Sequence, residues 1–239
     1  LYNSEKNYTE NLKLLEEYKN QIKKIIQVNQ NLSIHHIECM KSQNLQDIVT
    51  LDLFGFKKDG YFIEAGACDG KLNSNTFLLE KKFSWNGLLV EPLKLYFDSL
   101  QKNRTVTTKN YALTALDTKE AEFLEVKSND LSTLKGYEDN DYHSENREKS
   151  KIVLVKTISL QMLMTQCKTP FEVDFLSLDT EGSEYDILKD FDFKKYQFNV
   201  ICVEHNFSSN RKLMSELLVK NGYKKIYFSF SNIDDYYIN

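Results

Sequence analysis

The 239-residue chain reads as an α/β protein built on a doubly wound, mostly parallel sheet. Three observations predict it. Apolar runs at 61–63, 88–90, 173–178 and 199–203 are each the length of a buried strand. Each is followed by a carboxylate, namely Glu64, Glu91, Asp179 and Glu204. Between them lie stretches with helical spacing or helix caps, the alternation that gives a parallel sheet with helices on both faces.

Taken in order, residues 4–30 place Leu12, Leu15, Tyr18, Ile22, Ile25 and Ile26 at helical spacing among Glu, Lys and Asn. This predicts an amphipathic helix in an N-terminal extension, 1–41, ahead of the main domain, 42–239. The helix is expected to pack on its own domain, with a homo-oligomer seam as the alternative; the heptads are too few for a coiled coil. His35 and His36 follow in a polar stretch and read as surface residues. Residues 42–56 read as a helix or helix pair through Leu45, Ile48, Val49, Leu51 and Leu53, and 57–60 as a turn into the first strand.

After that strand, Gly66 and Gly70 permit a tight turn and a close ligand approach. Ser74, Asn75 and Thr76 then open a helix as caps, as contacts to a ligand, or as both. Pro92 stops the second strand after Glu91; 93–102 suits a helix and 106–113 a third strand ending near Asn110 and Ala112. A short strand is expected at 122–126. The polar segment 127–151 is long enough for a lid or for disorder, with Tyr137, Tyr142, His143 and Arg147 as candidate substrate contacts. A strand at 153–158 and a helix from 160 precede the 173–178 strand, and Gly182 permits the turn after it. A helix at 211–221 closed by Gly222 and a last strand at 225–230 complete the domain; Tyr236 and Tyr237 stand in too short a piece to interpret.

Composition narrows the function classes. With a net charge of −4 and scattered arginines (Arg104, Arg147, Arg211), the chain carries no basic footprint for nucleic acid. No apolar run reaches the length of a membrane span. Cys39, Cys68, Cys167 and Cys202 show no C-x-x-C pairing, so they read as reduced cysteines, and a cytoplasmic location is expected. No leader pattern is seen, and the chain begins at Leu1 rather than at Met, so residues can precede it.

The chemistry concentrates at the strand exits. A Gly turn, a helix and a second strand ending in Glu91 form a frame for a ribosylated cofactor, with Glu91 placed to accept ribose hydroxyls. The turn is acidic, with Glu64 and Asp69, and Cys68 occupies the place of the middle glycine of a dinucleotide fingerprint. A pyrophosphate would be repelled there, whereas the sulfonium and ammonium of S-adenosylmethionine would be attracted. At the far exits, Asp179, Glu181 and Glu204 need a cation, a shared proton or solvent to coexist. His205 leaves its strand beside Glu204 and is a candidate base.

The ordered set "FIEAGACDG", "SNTFLLE", "GLLVEP", "VDFLSLDTEGSEYDIL" and "VICVEHN", with "SQNLQD" upstream, resembles the FkbM family of S-adenosylmethionine-dependent methyltransferases over 42–230. The resemblance implies a class I, Rossmann-like methyltransferase that methylates hydroxyl oxygens of sugars, glycans or related small molecules. It implies that Glu64, Gly66, Ala67, Asp69 and Gly70, with Ser74, Asn75 and Thr76, line the methionine end. Glu91 would hold the ribose, with Pro92, Asn110 and Ala112 nearby, and Asp179 would touch both cofactor and acceptor. Asp179 and His205 are the candidate bases, and Glu181 would orient the acceptor or a base. A divalent metal on Asp179, Glu181 and Glu204 is an alternative route to an acidified hydroxyl. Two rival readings are another transferase on the same cofactor fold and a catalytically silent domain used for protein interaction.

Overall fold

Side chains along a strand alternate between faces, so a strand buried on both sides needs apolar residues at consecutive positions. Phe62 and Ile63 show this on the first strand, each packing into a different hydrophobic cluster. The computed structural model describes residues 36, 38–115, 117, 120–126, 131–140, 143–227 and 233–239. The expected helix at 4–30 lies outside them.

In chain order the elements are α1 (Gln46–Leu53), β1 (Tyr61–Ala65), α2 (Phe77–Phe83), β2 (Asn86–Val90), α3 (Lys94–Asn103), β3 (Thr107–Lys109), β4 (Ala112–Thr114), β5 (Glu120–Glu125) and β6 (Thr133–Leu134). They continue with α4 (Ser144–Arg147), β7 (Lys151–Ser159), α5 (Leu160–Cys167), β8 (Glu172–Leu178), α6 (Glu184–Lys189), β9 (Gln197–Glu204), α7 (Arg211–Lys220), β10 (Lys224–Ile226) and β11 (Asp234–Ile238).

Seven strands form one sheet in the order β10-β11-β9-β8-β1-β2-β3. Neighbours from β9 to β3 run parallel, while β11 lies antiparallel to both β9 and β10. Strand order reverses between β1 and β8, the switch point where such sheets bind ligands beyond their carboxyl ends. Helices α5, α6 and α7 cover one face through Leu163, Met164, Leu188, Met214 and Leu218. Helices α1, α2 and α3 cover the other through Val49, Leu51, Leu78, Leu79 and Leu100. This is a doubly wound, Rossmann-like α/β architecture with a mostly parallel sheet. Among the described residues no helix is long and apolar enough to cross a membrane.

Three expectations are corrected. The single third strand at 106–113 is two: β3 pairs with β2 in the main sheet, while β4 pairs with β7 in a second, four-stranded sheet ordered β4-β7-β5-β6. The break falls at Asn110, whose side-chain amide donates to the Glu91 and Pro92 carbonyls, both at 2.8 Å. The polar segment 127–151 contains β6 and α4 among its described residues, so it is in part a structured roof. The last strand of the main sheet's edge is β10 at 224–226, with 228–230 outside the described residues. The uninterpreted Tyr236 and Tyr237 belong to β11 and are fully buried on opposite faces of the sheet.

Candidate active site

A cavity of about 450 Å³ opens at the carboxyl ends of β1, β2 and β8, roofed by the second sheet and the segment around β6. Its floor is set by backbone geometry. The amides of Gly66 and Ala67 both donate to the Val90 carbonyl at 3.1 Å, and the Asp179 amide donates to the Ala65 carbonyl at 3.2 Å. Gly66 sits at φ +80°, and a Cβ there would fall 1.7 Å from the Asp179 carbonyl oxygen. Only glycine lets β1 turn this close to the exit of β8.

Glu91 is buried at the tip of β2. Its two oxygens accept the backbone N–H groups of Leu93 at 2.8 Å and Cys68 at 2.9 Å. Burial pushes its carboxyl up to about 7, against the pull of those two amides. Each oxygen accepts one hydrogen bond here and has a second lone pair. Asp69 also lines the cavity, its Oδ1 accepting the N–H groups of Lys71 and Leu72 at 2.8 Å.

At the other end, ligand oxygens of Asp179, Glu181 and Glu204 lie within 4.8 Å of one another. Glu181 is in the left-handed region at φ 59°. Arg147 Nη2 donates to its carboxylate at 2.8 Å, and Thr133 Oγ1 donates to its carbonyl at 2.7 Å. Burial, then the charges of Asp179 and Glu181, hold the Glu204 carboxyl well above the usual carboxylate range. Together with a hydrogen bond to Asp179, they favour the protonated form of Glu204. Asn206 Nδ2 donates to Glu204 Oε2 at 2.7 Å and lies 3.4 Å from Glu181 Oε2. With Cys68 at φ 43° and Asn206 at φ 37°, three non-glycine cavity residues hold conformations that cost energy, a pattern common where a site is pre-formed.

Of the sequence-derived candidates, Gly66, Ala67, Asp69, Ser74, Glu91, Pro92, Ala112, Asp179, Glu181 and Glu204 meet at this one cavity. Others do not line it. Glu64 is buried behind the wall, accepting from Ser74 Oγ at 3.0 Å, Thr76 Oγ1 at 2.5 Å and the Asn75 N–H at 2.8 Å, with Arg104 Nη1 at 3.7 Å. It fixes the 74–76 segment. Those side chains consequently do not cap α2: Thr76, at the N-cap, makes no capping bond, and Asn75 Nδ2 donates to Ser177 Oγ at 2.9 Å. The Gly70 carbonyl accepts from Arg104, and Asn110 locks the β3–β4 break.

His205 points away from the cavity. It borders a small hollow with Arg211 and Asp235, its Nδ1 accepting the Phe207 N–H at 3.0 Å and its Nε2 lying 3.8 Å from Asp235 Oδ1. Burial lowers its ring to about 4, with Asp235 pulling upward and Arg211 and Lys225 downward, so the ring is neutral at neutral pH. The physical reason is alternation: Glu204 faces the cavity, so its neighbour faces the opposite side. His143, a candidate from the 127–151 segment, lines the roof, while Tyr96, Tyr111 and Phe123 on one wall and Leu131 and Ser132 in the roof are missing from the sequence-derived set. The wall aromatics lie in segments that read as ordinary core, so little in the sequence marks them.

Solved structures resemble this chain at low identity. A methyltransferase FkbM from Methylobacillus flagellatus KT shares 13% identity at a TM-score of 0.49, over 77% of this chain and 44% of that one. The delta-N METTL16 MTase domain shares 13% at 0.43, over 80% and 77%. A precorrin-6y C5,15-methyltransferase from Geobacter metallireducens GS-15 shares 13% at 0.40, over 84% and 88%. This chain thus spans less than half of the Methylobacillus protein it matches. No curated protein matches the sequence. The methyltransferase FkbM domain model matches residues 64–233, from the carboxyl end of β1 to the entry of β11, and the chain belongs to that family.

Proposed function

We propose that this domain binds S-adenosylmethionine and transfers its methyl group to a hydroxyl oxygen of a sugar, glycan or related small molecule. One observation carries the reading: a single cavity has the buried Glu91 at one end and the Asp179–Glu181–Glu204 group at the other. The donor set fits the cofactor. Glu91 would take the ribose hydroxyls, and Leu93, Tyr96, Tyr111 and Phe123 offer an apolar and aromatic wall for a flat base. The lining acids suit a cation better than a pyrophosphate.

When bound, S-adenosylmethionine supplies an electrophilic methyl group. Asp179 accepts the proton of the attacking hydroxyl, since it lines the cavity and hydrogen-bonds to an acid whose protonated form is favoured. Glu204, hydrogen-bonded to Asp179, orients that base. Arg147 offsets the charge of Glu181 and joins it to the roof, because Arg147 Nε also donates to the Leu131 carbonyl at 2.8 Å and Nη1 to the Glu138 carbonyl at 3.1 Å. The roof excludes water from the reacting atoms. With the cofactor held along Glu91 and the acceptor beside Asp179, methyl transfer would give a methyl ether and a thioether, and the part of the chain is to align the hydroxyl and take its proton.

A second reading has the 4.8 Å clustering of Asp179, Glu181 and Glu204 behind it. A divalent cation on those oxygens would acidify the hydroxyl instead. The first test is calorimetric titration with S-adenosylmethionine and S-adenosylhomocysteine, for wild type and Glu91→Ala. Micromolar binding lost in the variant supports the assignment; a folded wild-type protein that binds neither refutes it. Methyl transfer to hydroxylated acceptors with and without EDTA then separates the two readings.

A further inference from the structure

The turn that carries Glu181 is built against the roof. Glu181 sits at φ 59°, a conformation that costs a non-glycine residue energy unless its surroundings hold it there. The roof holds both ends of the residue: Thr133 Oγ1 donates to its carbonyl at 2.7 Å and Arg147 Nη2 to its carboxylate at 2.8 Å. In α6, Asp186 Oδ2 accepts from Tyr137 Oη at 2.5 Å. Over Gly182 the two layers touch, since a Cβ there would lie 3.3 Å from Asn140 Cβ and 3.5 Å from Tyr137 Cβ. Arg147 is the centre of this clasp. It is buried, and its fork also reaches the Leu131 carbonyl through Nε and the Glu138 carbonyl through Nη1. Leu131 and Glu181 line the cavity, whereas Arg147 does not. The cofactor end is held by other means, since the amides on Glu91 belong to Cys68 and Leu93.

Resting on the methyl-transfer reading above, we propose that Arg147 is a positioning residue for the acceptor, locking Glu181 and the roof residues 131–138 into one unit. The acceptor end is then complete only with the roof seated, whereas the cofactor end is complete without it. The role requires a fork. A lysine keeps the charge but cannot span the Leu131 and Glu138 carbonyls and the Glu181 carboxylate together. Thr133, fully buried, links the same two layers without any charge. Loss of either link therefore acts on the same unit.

The test uses the full chain as wild type, Arg147→Lys and Thr133→Val, first by amide hydrogen exchange, which needs no acceptor. Both variants should exchange about tenfold faster than wild type in 131–138 and in 180–184, the effect of one lost buried hydrogen bond. Exchange in β1 and β2 should match wild type, and calorimetric affinity for S-adenosylhomocysteine should stay within about threefold. Faster exchange in only one of the two segments, or in neither, overturns the proposal. A loss of S-adenosylhomocysteine affinity as large as the exchange effect overturns it too. With glucose as the acceptor probe, both variants should lower kcat/KM for glucose about tenfold and leave KM for S-adenosylmethionine unchanged. Wild-type kinetics in both variants, or a cofactor KM raised as much, contradicts the assignment. A wild type that binds S-adenosylhomocysteine and leaves glucose unmethylated bears on the methyl-transfer reading alone, and the exchange comparison then decides the clasp by itself.

Discussion

Arg104 offers the sharpest test of how the cavity wall is held. Its side chain is fully buried, and its Nε donates to Glu80 Oε2 at 2.5 Å. Nη1 donates to the Gly70 carbonyl and to Ser74 Oγ, both at 3.0 Å, and Nη2 to Thr76 Oγ1 at 2.9 Å. The guanidinium also lies 5.6 Å from the ring centres of both Phe62 and Phe77. Arg104→Met keeps much of the volume but removes the charge, leaving Glu64 buried without its cation and Glu80 with Lys81 alone. Breaking a buried pair in this way costs about 3–5 kcal/mol.

Glu80 gives the sign of the effect's pH dependence. Burial works against its charge, yet Arg104, helped by Lys81 and the Thr105 N–H, brings its carboxyl from the ordinary 4.5 down to about 2. A folded-state value below the unfolded one stabilises the fold above about pH 4.5 and loses that contribution as pH falls toward 2. Glu80 is only partly buried and keeps Lys81, so solvent screening leaves its share of the effect below that of a fully buried pair. Urea unfolding at neutral pH should therefore show Arg104→Met less stable by about 3 kcal/mol. Between about pH 5 and 3 the variant should lose less stability than wild type. A loss below about 1 kcal/mol, or an acid limb identical to wild type, refutes the argument.

Other consequences follow from the same geometry. Burial raises Asp47 to about 6 and Glu91 to about 7, and burial with the Asp179 charge raises Asp234 to about 7. Raised acids stabilise the fold below their unfolded values and lose that contribution as pH climbs through the folded ones. Denaturant midpoints should accordingly fall from about pH 5 to about pH 8, and a flat profile contradicts this. Gly66→Ala meets the Asp179 carbonyl at a positive φ and should cost more than about 3 kcal/mol; thermal melting close to wild type would show that β1 can move away from β8. His205→Ala should leave S-adenosylhomocysteine affinity unchanged, because the ring faces the other side of the sheet. Glu64→Gln should lower stability by about 1–2 kcal/mol through lost charge-assisted hydrogen bonds; loss of cofactor affinity in a fully folded sample would return Glu64 to the cavity.

The strands at the centre of the sheet were legible because burial on both faces leaves a mainly apolar run, as in Val173–Leu178, where only the buried Asp174 and Ser177 interrupt it. What escaped depends on partners distant in sequence. Asp234 and Asp235 make β11 look polar, yet both are buried: Asp234 accepts from Gln46, and Asp235 from Arg211 and Lys225. The run from Thr107 to Thr114 looked like one strand because the turn that divides it depends on Asn110 reaching the Glu91 and Pro92 carbonyls. His205 was within reach of sequence reasoning, since strand alternation alone opposes it to Glu204.

The acids at the strand tips share a position and differ in what their environments leave unsatisfied. Glu64 spends its oxygens on two hydroxyls and an amide, with an arginine nearby, and so fixes the wall. Glu91 meets only two backbone amides, placed by the same turn that makes room for a ligand. Glu204 lies beside Asp179 and Glu181, and burial with those charges favours its protonated form. A carboxylate at the end of a parallel strand is therefore a weak indicator of ligand binding by itself. The deciding quantity is the number of lone pairs its protein partners leave facing the cavity, which separates Glu64 from Glu91 although each terminates an apolar strand of the same sheet.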